Sequence, residues 1–132
     1  MKSSKIKSIL IIGMGLIGSS LSRAFYKNSV ADYVYGLDKD EKTIIKCKDL
    51  NLLEGIENNI EKFNFQFDLI IICSPLSTYK EIFFYLNKFV TQQTLLTEVG
   101  STKLSVIRDF KETVTNSNIK FLPSHPIAGL EK

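Results

Sequence analysis

The sequence has few of the residues that build metal and disulfide sites. Among 132 residues it contains one histidine, His125, two cysteines, Cys47 and Cys73, and no tryptophan. A single histidine excludes a multi-histidine metal site. Neither cysteine belongs to a C-x-x-C pair or a Cys/His cluster, which argues against zinc. We therefore expect no metal ion, and two isolated thiols indicate a reducing compartment, here the cytoplasm.

Long apolar runs and basic blocks are also missing. No apolar stretch approaches the ~20 residues of a membrane-spanning helix. The net charge of +3 is spread over many lysines, and no basic segment is interleaved with aromatic residues. The composition therefore predicts neither a membrane nor a nucleic-acid partner. A basic start before the apolar run of residues 8–12 leaves a secretion signal as an alternative, although the glycines that end this run have another explanation.

What the sequence does have is a hydrophobic fraction of 44%, enough for one folded domain over residues 1–132. Short apolar runs rich in isoleucine and other branched residues predict buried parallel strands. These runs are residues 7–12, 33–37, 67–73, 94–99 and 119–122, with a short edge strand around 52–56 and loop over the rest of 51–66.

Helical spacing fills the intervals between the predicted strands. The segments are the residues after Gly18, residues 40–50, the apolar stripe of residues 79–90, and residues 103–114. Their predicted inward positions are Ile17, Leu21, Ala24 and Phe25; Ile44 and Cys47, with Ile45 beside them; and Leu104, Ile107, Phe110 and Val114. Strands that alternate with helices across short connections predict an α/β fold of the Rossmann type, with a doubly wound parallel sheet.

Residues 13–18 read Gly-Met-Gly-Leu-Ile-Gly, the G-x-G-x-x-G pattern, between a predicted strand and a predicted helix. Gly13 lets the chain turn out of the strand, Gly15 lets a pyrophosphate approach the backbone, and Gly18 lets the helix pack closely on the sheet. The first N–H groups of the helix then face the phosphates. The predicted cofactor-binding residues here are Gly13, Met14, Gly15, Leu16, Ile17 and Gly18. A glycine turn without a ligand is the alternative.

Asp38 completes the dinucleotide fingerprint, because it ends the second predicted strand about 20 residues after Gly18. A carboxylate at this position hydrogen-bonds the ribose hydroxyls and repels a 2′-phosphate, so NAD is favoured over NADP. Lys39 works against this preference, since a neighbouring cation could meet a phosphate. An N-cap of the helix over residues 40–50 is an alternative role for Asp38.

Three further motifs follow later strand ends. They are residues 73–75 (Cys-Ser-Pro), residues 98–103 (Glu-Val-Gly-Ser-Thr-Lys) and residues 125–131 (His-Pro-Ile-Ala-Gly-Leu-Glu). Ser74 and Pro75 lie at the edge where a cofactor crosses a Rossmann sheet, which makes them candidate cofactor contacts. They could also serve only to stop the strand, as Ser101 could serve only as a helix N-cap.

Together with residues 13–21 (Gly-Met-Gly-Leu-Ile-Gly-Ser-Ser-Leu), these motifs resemble the prephenate/arogenate dehydrogenase family of tyrosine biosynthesis. Their order and spacing match along almost the whole chain, and the most specific part is a G-S-x-K helix start followed by H-P-x-x-G. The resemblance implies NAD-linked oxidative decarboxylation of prephenate to 4-hydroxyphenylpyruvate, or of arogenate to tyrosine. It also implies a homodimer in intact family members.

The resemblance assigns the catalytic work to two residues. His125 is expected to contact the ring hydroxyl of the substrate and to draw its proton, which suits an imidazole whose ordinary pKa is near neutral. Ser101 is expected to orient that histidine or the hydroxyl. Glu131 lies where some members carry an acidic gating residue. Taken outside the family, a lone histidine in a proline-flanked loop is more often structural.

The sequence departs from the family pattern at Glu98, where aspartate is usual, at Thr102, where valine is usual, and in length. The chain stops at Lys132. Because family members continue into a helical domain that supplies an arginine for the substrate carboxylate, we expect a C-terminally incomplete Rossmann domain without its last strands or that second domain. Only Arg23 and Arg108 are present, so we expect NAD binding with little turnover of prephenate.

Two other functions remain open from the residues alone. One is a different NAD-dependent oxidoreductase on the same half-fold, such as a β-hydroxyacid dehydrogenase or an imine reductase, because a Rossmann start does not name a substrate. The other is a cofactor-binding module or incomplete gene product without turnover.

Overall fold

The computed structural model describes residues 6–100 and 103–123. Strands β1 (Ile6–Ile12), β2 (Ala31–Leu37), β3 (Gly55–Glu57), β4 (Leu69–Ile72), β5 (Thr94–Glu98) and β6 (Ile119–Phe121) alternate with helices α1 (Leu16–Lys27), α2 (Glu41–Leu50), α3 (Tyr79–Phe89) and α4 (Lys103–Thr113). The predicted strands and helices are confirmed, with ends that differ by a few residues. Within the described ranges, no helix is long and apolar enough to cross a membrane.

The strands form one sheet in the order β3-β2-β1-β4-β5-β6, and every neighbouring pair is parallel. This is the 3-2-1-4-5-6 order of a sheet built from two mononucleotide-binding halves. The α/β class and the edge position of β3 are confirmed. The strand predicted at residues 119–122 is β6, which pairs with β5 and fills the sixth position of this order.

Alternating side chains of the central strands build a separate hydrophobic core on each face of the sheet. Leu10 and Ile12 of β1 pack with α3 and α4, whereas Ile9 and Ile11 of the same strand pack with α1 and α2. All four side chains are buried. Positions that are covered on both faces of a sheet must be apolar, which is why residues 9–12 of β1 show no polar alternation.

Four predicted inward positions on the helices are wrong, and Ile45 of α2 is one of them. Ile17 and Ala24 of α1 are exposed, and Leu104 of α4 is 85% exposed, while Ser22 and Val106 are buried instead. On α1 the contact of Gly18 with the sheet decides which side of the helix faces inward, and Ser22 lies one turn later on that side. Ser22 is accommodated there because its hydroxyl donates to the Ser19 carbonyl oxygen.

The segment between β3 and β4 is more ordered than the predicted loop. Ile60–Lys62 form one 3₁₀ turn, which Asn59 caps by accepting a hydrogen bond from the Glu61 N–H. Ile60 and Phe63 are three positions apart on this turn, and both are buried in the core beneath α3. Ile45 of α2, by contrast, is exposed.

Candidate functional site

The carboxyl ends of β1, β2 and β4 open into a cleft of about 630 Å³. The strand order reverses between β1 and β4, and such a switch point is where parallel α/β sheets bind ligands. Gly13 and Gly15 line the cleft after β1, Asp38 and Lys39 line it after β2, and residues 73–75 line it after β4. Sequence motifs that are distant along the chain therefore meet at one edge of the sheet.

Gly13 makes the turn from β1 toward α1 in a conformation that favours glycine. Its φ is +95°, and a Cβ on Gly13 would lie 2.8 Å from the backbone nitrogen of Ser74. The Gly13 N–H donates to the carbonyl oxygen of Leu37 over 2.8 Å. The turn thus connects the ends of three strands, and a side chain at Gly13 would separate β1 from β4.

Gly15 is the N-cap of α1 and leaves the start of this helix open. No side chain caps the helix, and its first turn contains no acidic residue. Within residues 6–100 and 103–123, a Cβ on Gly15 would meet no atom within 4 Å beyond its two chain neighbours, so these residues leave the space beside the backbone empty on the cleft side. Free N–H groups at a helix start attract an anion. This position therefore suits a phosphate group.

Asp38 holds the glycine turn and the next loop together. Its Oδ2 accepts a hydrogen bond from the Met14 N–H over 2.7 Å, and its Oδ1 accepts one from the Asp40 N–H over 2.9 Å. The N-cap of α2 is Asp40, whose carboxylate accepts from the Thr43 N–H over 3.0 Å. The alternative role of Asp38 as this cap is therefore wrong. Its carboxylate lines the cleft and keeps lone pairs for a ligand.

Ser74 and Pro75 form the cleft wall after β4. Pro75 is the N-cap of a 3₁₀ turn, Leu76–Thr78, that leads directly into α3. The Thr78 hydroxyl donates to the Pro75 carbonyl oxygen over 2.6 Å, so its single proton is used and Ser74 Oγ is the donor in the 2.8 Å Ser74–Thr78 contact. These hydrogen bonds join the two residues of the wall to the turn that leads into α3.

The predicted cofactor-binding residues fall into two groups. Gly13, Gly15, Asp38, Ser74 and Pro75 line the cleft. The others do not line it: Met14 is buried, the side chains of Leu16 and Ile17 are exposed, and a Cβ on Gly18 would collide with the Gly13 carbonyl oxygen, which gives Gly18 a packing role. The predicted catalytic residues Ser101 and His125, together with Glu131, lie outside the described residues.

Residues of α3 complete the cleft, and the sequence patterns did not identify them. Glu81, Phe84, Tyr85 and Lys88 line it opposite the loop after β2. Burial, and then the charge of Glu81, raise the pKa of Tyr85, so the phenol stays neutral at physiological pH. Lys88 Nζ lies 4.3 Å from the centroid of the Phe84 ring. A helical stripe with aromatic residues indicates a buried helix face, and the sequence alone does not show which residues of that helix line the cleft.

A buried carboxylate precedes the predicted Ser101 motif. Glu98 ends β5 and is fully buried, and its Oε1 accepts a 2.6 Å hydrogen bond from the Gly100 N–H. The Tyr79 hydroxyl lies 3.4 Å from the same oxygen. Burial, and then the charge of Glu98, raise the pKa of Tyr79. A Cβ on Gly100 would lie 2.9 Å from both oxygens, so a larger residue there would force the side chains of this pair to shift.

Cys73 lines the cleft, and burial raises its pKa to about 11. Two pKa units above an ordinary thiol mean about 100-fold less thiolate near neutral pH. We therefore expect iodoacetamide to alkylate Cys73 about 100-fold more slowly than a free thiol at about pH 8, with the rate rising about tenfold per pH unit. Peptide mass spectrometry separates Cys73 from Cys47, which is buried on α2 in the core against which Cys73 also packs. Labelling at the free-thiol rate would contradict this prediction.

The cleft has the donor set that a dinucleotide requires. It combines a helix start without capping side chain or acidic residue, an empty space where Gly15 lacks a side chain, and a carboxylate at the end of β2. In a Rossmann fold, a helix start of this kind binds the pyrophosphate, the glycine lets that pyrophosphate approach the backbone, and the carboxylate accepts hydrogen bonds from the ribose. Within the part of the chain that the structure describes, no group of acidic, histidine or cysteine residues is arranged to hold a metal ion.

Comparison with known sequences agrees with this geometry. The family profile described as "Prephenate dehydrogenase, nucleotide-binding domain" matches residues 21–132. Cyclohexadienyl dehydrogenase of Zymomonas mobilis is 33% identical over 127 residues, which is 95% of this chain and 42% of that protein. Prephenate dehydrogenase of Lactococcus lactis is 32% identical over 96% of this chain and 36% of that protein. The chain thus spans about two fifths of these relatives.

Solved structures give the same result. Prephenate dehydrogenase from A. aeolicus, crystallised with hydroxyphenyl propionate and NAD+, superposes with a TM-score of 0.84 and 29% identity, covering 99% of this chain and 45% of that one. Synechocystis arogenate dehydrogenase superposes with a TM-score of 0.76 at 20% identity, which shows a shared fold. An imine reductase from Pseudomonas also shares the fold, with a TM-score of 0.66 at 14% identity.

Proposed function

This chain belongs to the prephenate dehydrogenase family, within the nucleotide-binding domain, and from that premise we propose that it binds NAD for the oxidative decarboxylation of prephenate to 4-hydroxyphenylpyruvate. The observation that carries the proposal is the convergence of Gly15, the uncapped start of α1 and Asp38 on one cleft at the switch point of the sheet. NAD, when bound, supplies the hydride acceptor.

The chain's own residues would bind and orient the cofactor. The first N–H groups of α1 stabilise the pyrophosphate charge, and Gly15 leaves room for it beside the backbone. Asp38 accepts hydrogen bonds from the ribose hydroxyls, and its charge disfavours a 2′-phosphate. The Met14 N–H, bonded to Asp38 Oδ2, keeps that carboxylate in place. This arrangement supports NAD over NADP.

We assign the proton transfer to His125 and its orientation to Ser101, on the basis of the family motif. The His125 imidazole accepts the proton of the ring hydroxyl of the substrate as hydride leaves the ring carbon. The positioned Glu98 supports this assignment, since its carboxylate holds the Gly100 N–H directly before Ser101. Of the cleft-lining residues, the cations are Lys39 and Lys88, and the described part of the chain places no arginine in the cleft.

Calorimetric titration with NAD tests the binding step. Asp38→Ala removes the acceptor for the ribose together with the bond to the Met14 N–H, and we expect NAD affinity to fall about 10- to 100-fold, which corresponds to ~1.4–2.8 kcal/mol. Glu112→Ala is a suitable control, because Glu112 is exposed on α4 and does not line the cleft. Absence of NAD binding at millimolar cofactor would overturn the proposal, as would full affinity in Asp38→Ala.

Formation of NADH upon addition of prephenate or arogenate tests the substrate. In an intact homologous enzyme we expect prephenate to be preferred, and we expect the substitution that corresponds to His125→Asn to abolish turnover while NAD binding is retained. If NADH formed with arogenate but not with prephenate, arogenate would be the substrate. Undiminished turnover by His125→Asn would remove this histidine from the mechanism and favour a different oxidoreductase on the same fold.

A further inference from the structure

An ion pair crosses the mouth of the cleft, between the loop after β2 and the first turn of α3. Lys39 Nζ lies 2.7 Å from Glu81 Oε2, although the two residues are 42 positions apart in the sequence. Both side chains line the same cleft as Asp38. Lys39 is the residue directly after Asp38, so its ammonium is the cation nearest along the chain to the predicted ribose site.

This pair matters because of what an unpaired Lys39 would do. Binding of a 2′-phosphate in Rossmann proteins depends on a cation near the end of the second strand, where an acidic residue otherwise selects NAD. A free ammonium beside Asp38 would offset the repulsion between that carboxylate and a phosphate. Glu81 forms an ion pair with the Lys39 ammonium, and it adds a second negative charge, besides that of Asp38, to the cleft mouth.

The strength of the pair sets the size of the effect. Both side chains are more than half exposed, at 73% for Lys39 and 58% for Glu81. Exposed pairs of this kind contribute little to stability. Substitution of either residue should therefore leave the domain folded, while a change of one unit charge at the cleft still affects a ligand that carries a 2′-phosphate.

We propose that Glu81 is a specificity-determining residue, which holds Lys39 away from a 2′-phosphate and so strengthens the preference for NAD over NADP. The inference rests on the proposed function, because it requires a dinucleotide in this cleft. It differs from the role of Asp38, which faces the ribose directly. Glu81 acts through Lys39, and a double-mutant cycle can separate this action from a simple change of net charge.

The test compares the dissociation constants of NAD and NADP for wild type, Glu81→Gln, Lys39→Gln and the double variant. We expect Glu81→Gln to tighten NADP binding about 3- to 10-fold and to change NAD binding less than about twofold. Lys39→Gln should not tighten NADP binding. The double variant should lose most of the gain, and the gain should shrink in high salt because the charges are exposed.

Glu112→Gln is the matched control, since it makes the same charge change on the exposed face of α4, away from the cleft. We expect it to leave both affinities unchanged. An equal gain in Glu81→Gln and the double variant would overturn the inference, because the effect would then not pass through Lys39. No gain in Glu81→Gln would overturn it as well. Failure of wild type to bind NAD would instead remove the proposed function, and this inference with it.

Discussion

Replacement of Gly15 by alanine is expected to weaken NAD binding about 10- to 100-fold and to leave the free energy of unfolding within about 1 kcal/mol of wild type. The added methyl would enter the space beside the backbone where the pyrophosphate approaches. Among the residues that the structure describes, none except the two chain neighbours of Gly15 has an atom within 4 Å of that position, so they have nothing to collide with it. The loss of NAD affinity should therefore arise from a clash between the added methyl and the bound cofactor, and not from a change in the fold.

Stability should stay almost constant because two small effects oppose each other. The backbone of Gly15 has a φ of −75°, which an alanine adopts without strain. Alanine reduces the entropy of the unfolded chain, a gain of about 0.4–1 kcal/mol, and it is a poorer N-cap than glycine by a similar amount. Urea denaturation and NAD titration of the same sample separate the two readouts. If Gly15→Ala bound NAD with wild-type affinity, the phosphates would not bind beside Gly15.

Replacement of Gly18 by alanine is expected to have the opposite result, a loss of at least about 2 kcal/mol in the free energy of unfolding. A Cβ on Gly18 would collide with the carbonyl oxygen of Gly13 and would lie 3.3 Å from Ile11 Cγ2. The nearest obstacle is backbone, which cannot rotate away as a side-chain end does. Alanine's helix propensity gains at most about 1 kcal/mol, so the collision dominates.

Gly55→Ala is the matched control for both glycine variants. Its Cβ would lie 3.4 Å from a ring carbon of Tyr35, an ordinary van der Waals contact, and Gly55 does not line the cleft. We expect it to change unfolding free energy by less than about 1 kcal/mol and to leave NAD affinity unchanged. If Gly18→Ala were as stable as Gly55→Ala, α1 would be able to shift away from the sheet without loss of stability. That result would contradict the close packing of Gly18 on the sheet.

Much of the fold could be predicted because its signals are local. The isoleucine-rich run of β1 indicates a strand covered on both faces, and it forms the centre of the sheet. Helix faces were less predictable: Leu104 fits an apolar stripe on α4 but is exposed, and Val106 is buried instead. Periodicity finds an amphipathic helix, whereas its rotation about its own axis depends on contacts with the sheet.

The amino-acid sequence by itself determined the α/β class, the glycine spacing after β1 and the acidic end of β2, since each depends on residues close together in the chain. Only the tertiary structure decided which distant groups meet. The strand order brings Lys39 to Glu81, and it buries Glu98 beside Tyr79 and the Gly100 N–H. Such pairs are set by strand order and helix packing, which are global properties that no local pattern encodes. The cleft that Gly13 and Gly15 begin to line is completed by side chains of α3.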